Sequence, residues 1–460
     1  MLDIVILAAG KGTRMKSDLA KVLHPIGGRS MLSHVIATAS DLGDYPLHII
    51  TGHGSAQVID SVKQLSKQLS LSIEPHFVQQ TEQLGTGHAV QQALPLLSND
   101  SITLILYGDV PLTSLDTLKA LLEKVTPESL GLLTIELDNP SGYGRIVRDS
   151  KQAVTSIVEQ KDAKPEQLGI KEINTGIMAV NSSQLKKWLP ALSNNNAQGE
   201  YYLTDIIAMA VADGISISTA QPMEEWEVMG INNRQQQAEL ERIYQSKQAE
   251  RQMLNGVTLL DPSRFDCRGK LVCGTDVIID INCIFEGNNE LGNGVIIGPN
   301  CTIKNTSIGS YTEIKANTVL EDATIASECT IGPFARLRPG TLLADKAKIG
   351  NFVETKKASV GEGSKINHLS YVGDAVLGKD VNIGAGTITC NYDGVNKHQT
   401  TIEDDVFVGS NSALVAPITL GSGSTVGAGS TINKNVAKET LALTRSPQKT
   451  MKEWQRPKKK

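Results

Sequence analysis

The second half of the chain carries a six-residue hydrophobic repeat, and this repeat restricts the possible folds more than any other feature of the sequence. Aliphatic residues recur at this spacing in two long series, which are Ile325, Ile331, Leu337, Leu343, Ile349 and Ile402, Val408, Leu414, Leu420, Val426, Ile432. Three such units close a triangular coil whose aliphatic side chains point inward, and each coil buries them only against its neighbours. The repeat therefore predicts a left-handed parallel β-helix of about ten coils between about Val257 and Val436.

Glycine follows the aliphatic residue in several of the repeats. The examples are Leu291-Gly292, Ile297-Gly298, Ile331-Gly332, Leu377-Gly378 and Ile383-Gly384. We expect these glycines at tight corners, because a positive φ costs glycine little. An ordinary β-sandwich would require period-two alternation and long hairpins, and the sequence shows neither.

The repeat is interrupted once, after Ile388, and resumes near Ile402. The residues in between are polar and rich in turn formers. A loop that leaves a regular solenoid is a common place for function, because the stacked coils hold it rigidly. The alternative is an insertion that the solenoid merely tolerates.

The first half of the chain alternates strand-like and helix-like segments. Apolar runs at 3–7, 47–50 and 102–106 indicate strands, and the patterns at 31–42 and 88–97 indicate helices. This alternation predicts a doubly wound, mostly parallel, Rossmann-like sheet that binds its ligand at the carboxyl ends of its strands. Residues 234–254 contain no proline or glycine and predict a long linking helix. The predicted organisation is a nucleotide-binding domain at 1–230, a linker helix at 231–252, and a β-helix domain with a C-terminal tail at 253–460.

The composition limits the classes of function. The formal net charge is −5, with 44 basic and 49 acidic residues, which argues against a general nucleic-acid surface. No apolar run approaches the roughly 20 residues that span a bilayer, and no basic signal region precedes the first strand, so we expect a soluble, cytoplasmic protein. The six cysteines lie in the second half and form no C-x-x-C pair. We therefore expect reduced, buried thiols rather than a structural zinc site.

A loop of small residues follows the first strand directly, with the sequence Leu7-Ala8-Ala9-Gly10-Lys11-Gly12-Thr13-Arg14-Met15. Small residues let backbone N–H groups approach phosphates, and Arg14 and Lys21 add positive charge that suits a triphosphate. The loop matches neither the Walker A pattern nor G-x-G-x-x-G. By spacing alone, an ordinary strand-to-helix turn remains the alternative.

This loop, together with Lys21, resembles the signature of the nucleoside-diphosphate-sugar pyrophosphorylases. Three later sets of residues resemble further parts of the family pattern. Gln80 and residues 83–89 are similar to its base-recognising segment, and residues 107–112 are similar to its metal-binding strand end. Its sugar-binding set is matched by 142–145, Glu159, 174–176 and Asn232. With the solenoid, the whole chain resembles the family of bifunctional enzymes that combine N-acetylglucosamine-1-phosphate uridylyltransferase and glucosamine-1-phosphate acetyltransferase activities.

The resemblance implies that the first domain transfers uridylyl from UTP to N-acetylglucosamine 1-phosphate with Mg²⁺, releasing pyrophosphate. Arg14 and Lys21 are then expected as catalytic residues that bind phosphate and offset charge in the transition state. Asp109 and Asn232 are expected as oxygen ligands of the metal, although Asp109 alone would suit a helix cap equally well. The implied UTP and UDP-sugar residues are Leu7, Ala8, Ala9, Gly10, Lys21, Gln80, Gly85, Thr86, Tyr107, Gly108, Asp109, Gly144, Glu159, Asn174 and Asn232.

The resemblance implies that the solenoid acts first, by transferring the acetyl group of acetyl-CoA to the amine of glucosamine 1-phosphate. The amine must lose a proton before it attacks, and a histidine suits this role near neutral pH. The family pattern selects His368 as the catalytic base rather than His398 in the loop. The implied substrate residues are Arg338, Lys356, Tyr371 and Asn382, and the implied acetyl-CoA residues are Ala385, Asn391, Tyr392, Ser410, Ala428 and Arg445.

By residue type alone, each of these polar and basic residues could be a solvated surface side chain. Two other functions are compatible with such a two-part chain. A single-activity pyrophosphorylase with a regulatory β-helix is disfavoured by the length of the solenoid, the loop and the segment around His368. A non-enzymatic scaffold would present regular outward threonine ladders, which are missing. The family also implies a homotrimer assembled through the β-helix, with no nucleic-acid or membrane partner.

Overall fold

The computed structural model describes residues 1–459, and Lys460, the last residue of the predicted tail, lies outside the described residues. The chain divides into two compact units, residues 1–244 and 245–460. The helix predicted between the two halves spans Arg234–Leu254, as its composition indicated. The finer domain bounds at 230 and 252 stay predictions.

The first unit is built on a twisted sheet. Its strands are β1 (Leu2–Ala8), β2 (Pro25–Ile26), β3 (Arg29–Ser30), β4 (Leu47–Thr51), β5 (His76–Gln79), β6 (Ile102–Tyr107), β7 (Ser129–Glu136), β8 (Arg145–Arg148), β9 (Val154–Val158), β10 (Glu172–Asn181) and β11 (Ser216–Ala220). The spatial order is β11-β7-β10-β6-β1-β4-β5, while β8 and β9 attach beside β10 and the pair β2–β3 stands apart. Strand β1 pairs in parallel with β4 and β6, whereas β10 runs antiparallel to β6 and β7. The main path of the sheet is mostly parallel, as predicted, with β10 reversed inside it, and β8 pairs antiparallel with both β9 and β10.

Helices lie between and after these strands. They are α1 (Met31–Ser40), α2 (Ser55–Leu69), α3 (Thr86–Gln91), α4 (Leu115–Leu122), α5 (Pro165–Leu168), α6 (Ser182–Trp188), α7 (Asp205–Ala212) and α8 (Arg234–Leu254). The 3₁₀ turns of the first unit are Thr13–Met15, Lys21–Leu23, Leu94–Leu96, Leu189–Ala191 and Glu225–Val228, and Pro262–Arg264 forms one in the second unit. The predicted helix at 88–97 was wrong in extent. The helix ends at Gln91, and a separate 3₁₀ turn follows, because Pro95 lacks the N–H that a continuing helix needs.

The run at β1 shows why the apolar strands predict this fold. Every residue of β1 is buried. Ile4 and Ile6 belong to one hydrophobic cluster, and Val5 and Leu7 belong to another. Because successive side chains of a strand point to opposite faces, this division means that both faces of the sheet are covered. The carboxyl ends of β1 and β6 lie side by side at one edge, where the amide of Gly108 donates to the carbonyl of Leu7 at 2.9 Å.

The second unit is the left-handed parallel β-helix. One face contains the strands Thr258–Leu259, Ile278–Ile279, Ile296–Ile297, Glu313–Ile314, Thr330–Ile331, Lys348–Asn351, Lys365–His368, Asn382–Ile383, Phe407–Val408, Thr425–Val426 and Leu441–Ala442. The other two faces contain Phe265–Cys273, Cys283–Leu291, Thr302–Lys304, Ser307–Ile308, Val319–Glu321, Thr324–Ile325, Arg336–Leu337, Leu342–Leu343, Glu354–Val360, Tyr371–Leu377, Ile388–Cys390, Thr400–Ile402, Ala413–Val415, Ile418–Leu420 and Thr431–Ile432.

The coil length follows from the strand register. Partners on successive coils are 17 or 18 residues apart, as in the pairs Ile279–Ile297 and Ile366–Ile383. The pair Ile383–Val408 is 25 residues apart, because the predicted loop lies between its members. The repeat positions are buried as expected, and so are Cys267, Cys283, Cys301 and Cys329, while Cys273 and Cys390 are partly exposed.

The glycines of the repeat have a different role from the predicted one. Of the five, only Gly332 has a positive φ. A Cβ on Gly292 would lie 2.6 Å from the amide nitrogen of Ser310, and one on Gly384 would lie 2.6 Å from that of Ser410. These glycines therefore permit close stacking of coils. The left-handed corners are occupied by other glycines, such as Gly294 and Gly363, and by residues such as Asn300 and Asp380, whose short polar side chains tolerate this conformation.

None of the helices within residues 1–459 combines the length and the apolar character that crossing a bilayer requires.

Gly292→Ala should destabilise the β-helix by about 1–3 kcal/mol, because its new methyl group would overlap the backbone of the next coil. Differential scanning calorimetry of the full chain would measure the shift. Gly169→Ala is the control, since the nearest atom to its new Cβ would be 4.0 Å away. Equal stability of Gly292→Ala and the parent chain would contradict the stacking role.

Candidate functional site

A cleft opens at the carboxyl ends of β1 and β6, where the predicted nucleotide loop leaves the sheet. It encloses about 780 Å³, including its open mouth. Among the predicted residues, those that line it are Leu7, Ala9, Gly10, Lys21, Gln80, Gly85, Thr86, Tyr107 and Asp109. A Cβ on Gly10 would meet nothing within 4 Å, so this loop exposes its backbone to the cleft. The exposed backbone suits the close approach of a phosphate.

Charged side chains from distant parts of the chain converge at this edge. The ammonium of Lys21 donates to Oδ2 of Asp109 and, at 2.8 Å, to Oδ1 of Asn232. The guanidinium of Arg14 donates to the same Asn232 oxygen at 2.9 Å. The amide of Ile231 donates to the backbone carbonyl of Asp109 at 3.0 Å, which brings Asn232 to the end of β6. The structure thus places the two predicted phosphate-binding cations beside the two predicted metal ligands.

The two oxygen donors fit a hard divalent cation. One ammonium group contacts both Oδ2 of Asp109 and Oδ1 of Asn232, so a single positive centre can lie against both atoms. A carboxylate and an amide oxygen are ligands that Mg²⁺ accepts, with water and substrate phosphates as its further ligands. Within residues 1–459 no group of three or more His, Cys, Asp or Glu side chains could hold a metal without such added ligands.

The predicted sugar-binding residues Gly144, Glu159 and Asn174 lie together, near Tyr107 of the cleft lining. The Cβ position of Gly144 is 3.3 Å from Oε1 of Glu159, and the carbonyl of Gly144 accepts from the amide of Asn174 at 2.9 Å. Burial raises the pKa of Glu159, and the hydroxyl of Thr204, which donates to Oε1 at 3.1 Å, lowers it. Burial also raises the pKa of Tyr107 well above its usual value, and the negative charges of Asp109 and Glu159 act in the same direction.

The predicted base-recognising segment is held by its own side chains. Nε2 of Gln80 donates to the carbonyl of Gly85 at 3.1 Å. Gly85 has a φ of 113°, and a Cβ there would lie 2.6 Å from the carbonyl oxygen of Tyr201. Gly85 is therefore required both by its backbone angle and by its close packing.

Some residues fall outside the predicted list or outside the cleft lining. Ala8 and Gly108 contribute to the sheet edge rather than to the lining. Val22 and Glu200 line the cleft but were not predicted, whereas Gln83 and Ala89 of the lining belong to the predicted base-recognising segment. Glu200 arrives through backbone pairing of its neighbour Tyr201 with Leu84 at 2.8 Å, and no local sequence signal indicates this approach.

The solenoid aligns the predicted acetyl-transfer residues in a column on one corner. The pairing of Ile349, Ile366, Ile383, Val408 and Val426 on successive coils fixes the register. The residues two positions later are therefore stacked, and they are Asn351, His368, Ala385, Ser410 and Ala428. Four of these five were predicted site residues, although they span 61 positions of the sequence. We call this set the corner column.

Two further predicted residues lie beside the corner column. The Arg445 guanidinium lies 3.6 Å from the Cβ position of Gly427, and its Cδ lies 3.7 Å from that of Gly429, so Arg445 flanks Ala428. Asn382 begins the strand that ends at Ile383, three positions before Ala385.

A basic cluster lies on the adjacent face. Arg338 donates to Oε1 of Glu354 at 2.8 Å, and the register places Lys356 on the coil after Arg338. The ammonium of Lys397 beside Lys356 lowers the pKa of Lys356, and Arg338 acts in the same direction. Lys397, in the loop, was not predicted. This accumulation of positive charge suits a phosphate dianion.

The loop between the strands Ile388–Cys390 and Thr400–Ile402 is anchored by polar contacts. Nδ2 of Asn391 donates to Oδ2 of Asp374 on the preceding coil. His398, the competing histidine, lies 2.7 Å from Oδ2 of Asp393, and the amide of Asn396 together with this ring holds the pKa of Asp393 far below its usual value. His398 thus has a structural contact within the loop, while the side chain of Tyr392 is exposed.

Comparison with known proteins covers both units. The family model for nucleotidyl transferases matches residues 4–240, the GMPPB C-terminal domain matches 267–360, and the hexapeptide repeat of succinyl-transferase matches 399–434. The chain is 62% identical to the Bifunctional protein GlmU of Saccharophagus degradans and 61% identical to that of Cellvibrio japonicus, over 460 residues and the full length of both chains in each case. It is 59% identical over 458 residues to the protein of the same name from Marinobacter nauticus, covering 100% of this chain and 99% of the relative.

Thr204→Val should raise the pKa of Glu159, because it removes a hydrogen bond that stabilises the charged carboxylate while the burial of the carboxyl group remains. A ¹³C NMR titration of glutamate-labelled protein would measure the pKa. Thr155→Val is the control, since its hydroxyl donates to the carbonyl of Val147. An unchanged or lower pKa in Thr204→Val would contradict the assignment.

Proposed function

The chain belongs to the family of the bifunctional GlmU proteins, and on this premise we propose which of its residues carry out the two reactions of that family. The protein is a bifunctional transferase of UDP-N-acetylglucosamine synthesis, with a uridylyltransferase unit and an acetyltransferase unit. Similarity over the full length does not favour the alternative of a single-activity pyrophosphorylase with a regulatory β-helix.

The first unit transfers uridylyl without a covalent protein intermediate. A phosphate oxygen of N-acetylglucosamine 1-phosphate attacks the α-phosphorus of UTP, and the bond to the pyrophosphate leaving group breaks. Arg14 and Lys21 lie where they can pair with the phosphates and offset the negative charge that develops. Gln80, Gly85 and Thr86 hold the uracil ring.

The sugar and the metal complete this proposal. Gly144, Glu159 and Asn174 bind the N-acetylglucosamine ring, and the buried Glu159 is supported by its hydrogen bond from Thr204. Asp109 and Asn232 hold Mg²⁺, which when bound neutralises phosphate charge. The observation that supports the uridylyl site best is the contact of one Lys21 ammonium with both Asp109 and Asn232.

The second unit transfers the acetyl group. His368 accepts a proton from the amine of glucosamine 1-phosphate as the amine attacks the thioester carbonyl of acetyl-CoA. The new C–N bond forms and the C–S bond breaks, and the sulfur of CoA leaves as the thiol by gaining the proton that His368 took from the amine. Arg338 and Lys356 pair with the 1-phosphate, and Tyr371, Asn382, Asn391 and Tyr392 border the reacting groups.

The bound acetyl-CoA lies along the corner column. Ala385, Ser410 and Ala428 offer mainly backbone groups and little steric bulk, and Arg445 supplies positive charge at the far end. The stacking of His368 with these residues on successive coils is the observation that supports the acetyl-transfer site best.

The proposal also includes assembly as a homotrimer through the β-helix. The match to a hexapeptide repeat supports oligomerisation. Phe334 and Phe352 expose 49% and 56% of their surface, and their rings stack at 5.3 Å on one corner of the solenoid, with Leu369 next to them on the following coil. Neighbouring copies would cover this apolar surface. The location is proposed to be cytoplasmic, because acetyl-CoA and UTP are available there.

His368→Ala should abolish release of CoA thiol from acetyl-CoA in the presence of glucosamine 1-phosphate and leave uridylyl transfer unchanged. A thiol-release assay and a pyrophosphate-release assay on the same preparation would measure both activities. His398→Ala is the matched control for a solenoid histidine. Retention of thiol release by His368→Ala would contradict the role of this base.

Asp109→Asn should lower uridylyl transfer at least about a hundredfold, since it removes the carboxylate charge expected to hold the cation and the contact with Lys21. Pyrophosphate release would measure the rate, and calorimetric titration with Mn²⁺ in the presence of UTP would show weaker metal binding. Asp116→Asn, at the start of α4, is the control. Parent-like Mn²⁺ affinity in Asp109→Asn would exclude this residue as a ligand.

A further inference from the structure

The corner column contains one residue that the proposed function does not use. Asn351 lies on the coil before His368, and the two residues are register partners. Its Oδ1 lies 2.9 Å from Nδ1 of the His368 ring. On the coil after His368 the column continues with Ala385, which has no hydrogen-bonding side chain. The polar side chain that His368 meets within the column is therefore that of Asn351.

The chemistry of a general base decides what this contact does. A neutral imidazole carries a proton on one ring nitrogen and a lone pair on the other. The hydrogen-bond partner of Nδ1 decides whether Nδ1 or Nε2 carries the proton. With Oδ1 of Asn351 as acceptor, Nδ1 of His368 carries the proton, and Nε2 keeps the lone pair that accepts a proton from the amine. If the amide were reversed, its NH₂ group would donate to Nδ1, and Nε2 would carry the proton and could not act as a base.

The backbone around this pair is held tightly. The amide of Leu369 donates to the carbonyl of Asn351 at 3.1 Å. A Cβ on Gly350 would lie 1.9 Å from the carbonyl oxygen of Asn367, so the strands Lys348–Asn351 and Lys365–His368 leave no room for a side chain at position 350. Asn351 is therefore presented to His368 from a closely paired strand, although His368 itself is exposed.

We propose that Asn351 is a positioning residue of acetyl transfer, which holds His368 in the tautomer and ring orientation that leave Nε2 free to take the proton of the amine. This inference rests on the proposed role of His368 as the base. Asn351 touches neither substrate nor the reacting atoms in this assignment and acts through His368.

An amide in this position differs from the carboxylate that often orients a catalytic histidine. Asn351 orients the ring without placing a negative charge beside it. The ionisable side chains on the paired strands are Lys348 and Lys365, three positions before the pair. The strands that follow add Glu354, Lys356, Lys357, Tyr371 and Asp374. A carboxylate at position 351 would contact the ring directly, as Oδ1 of Asn351 does at 2.9 Å.

Asn351→Ala and Asn351→Asp on the full chain test the proposal. Asn351→Ala should lower kcat for thiol release by about 10–100-fold, with a KM for glucosamine 1-phosphate within about twofold of the parent value. Asn351→Asp should restore most of kcat at high pH, since a carboxylate also accepts from Nδ1. Its charge should raise the pKa of His368, so the acid limb of the kcat/KM profile should move to higher pH by about one unit or more.

Asn288→Ala and Asn288→Asp are the matched controls, because Asn288 is an exposed residue of the same β-helix on an earlier coil. They should leave both activities and the pH profile unchanged, and uridylyl transfer in all four variants should equal that of the parent chain. A parent-like kcat in Asn351→Ala, or an unmoved acid limb in Asn351→Asp, would overturn the proposal. If His368→Ala itself retained thiol release, the base assignment would fail and this inference with it. Loss in His368→Ala without loss in Asn351→Ala would refute the role of Asn351 alone.

Discussion

Parallel backbone pairing between successive coils is the interaction on which the second unit depends. A coil of 17 or 18 residues pairs with the next through hydrogen bonds such as that from the amide of Gly298 to the carbonyl of Ile314, at 2.7 Å. Because of this pairing, each residue lies directly beside its register partner on the following coil. The interior becomes a stack of aliphatic residues, and the exterior becomes a set of columns. The corner column is one of these, so the alignment of His368 with Ala385, Ser410 and Ala428 is a direct result of the stacking.

Backbone pairing between successive coils also explains where extra residues can be inserted into the β-helix. The 25-residue step between Ile383 and Val408 keeps the backbone pairing on both sides and places the extra residues outside the solenoid. The loop can therefore carry Asn391, Tyr392 and Lys397 without disturbing the interior. Its anchor from Asn391 to Asp374 ties it to the preceding coil. In the first unit the equivalent role belongs to the sheet edge, where β1 and β6 end together and present Gly10 and Asp109 on one side.

Electrostatics distinguish the two sites. In the first unit, the ammonium of Lys21 pairs with the carboxylate of Asp109, while Lys21 and Arg14 both donate to the neutral amide of Asn232. In the second unit, Lys356 and Lys397 accumulate positive charge on an exposed face, and the ammonium of Lys397 lowers the pKa of Lys356. An anionic substrate relieves that repulsion, which is a physical reason for the cluster to bind a phosphate rather than to stabilise the fold.

The hydrophobic pattern of the sequence was enough to predict the architecture of both units. A six-residue aliphatic repeat and a continuous apolar run such as that of β1 are each compatible with few folds. The resemblance of short motifs selected most residues that the structure gathers into the cleft and the corner column. The extent of the helix after Thr86 and the role of glycines such as Gly292 were mispredicted, because each depends on how closely another segment approaches. Only the tertiary structure placed Asn351 against His368, Lys397 beside Lys356 and Glu200 in the cleft, since a contact between residues far apart in sequence leaves no periodic trace along the chain.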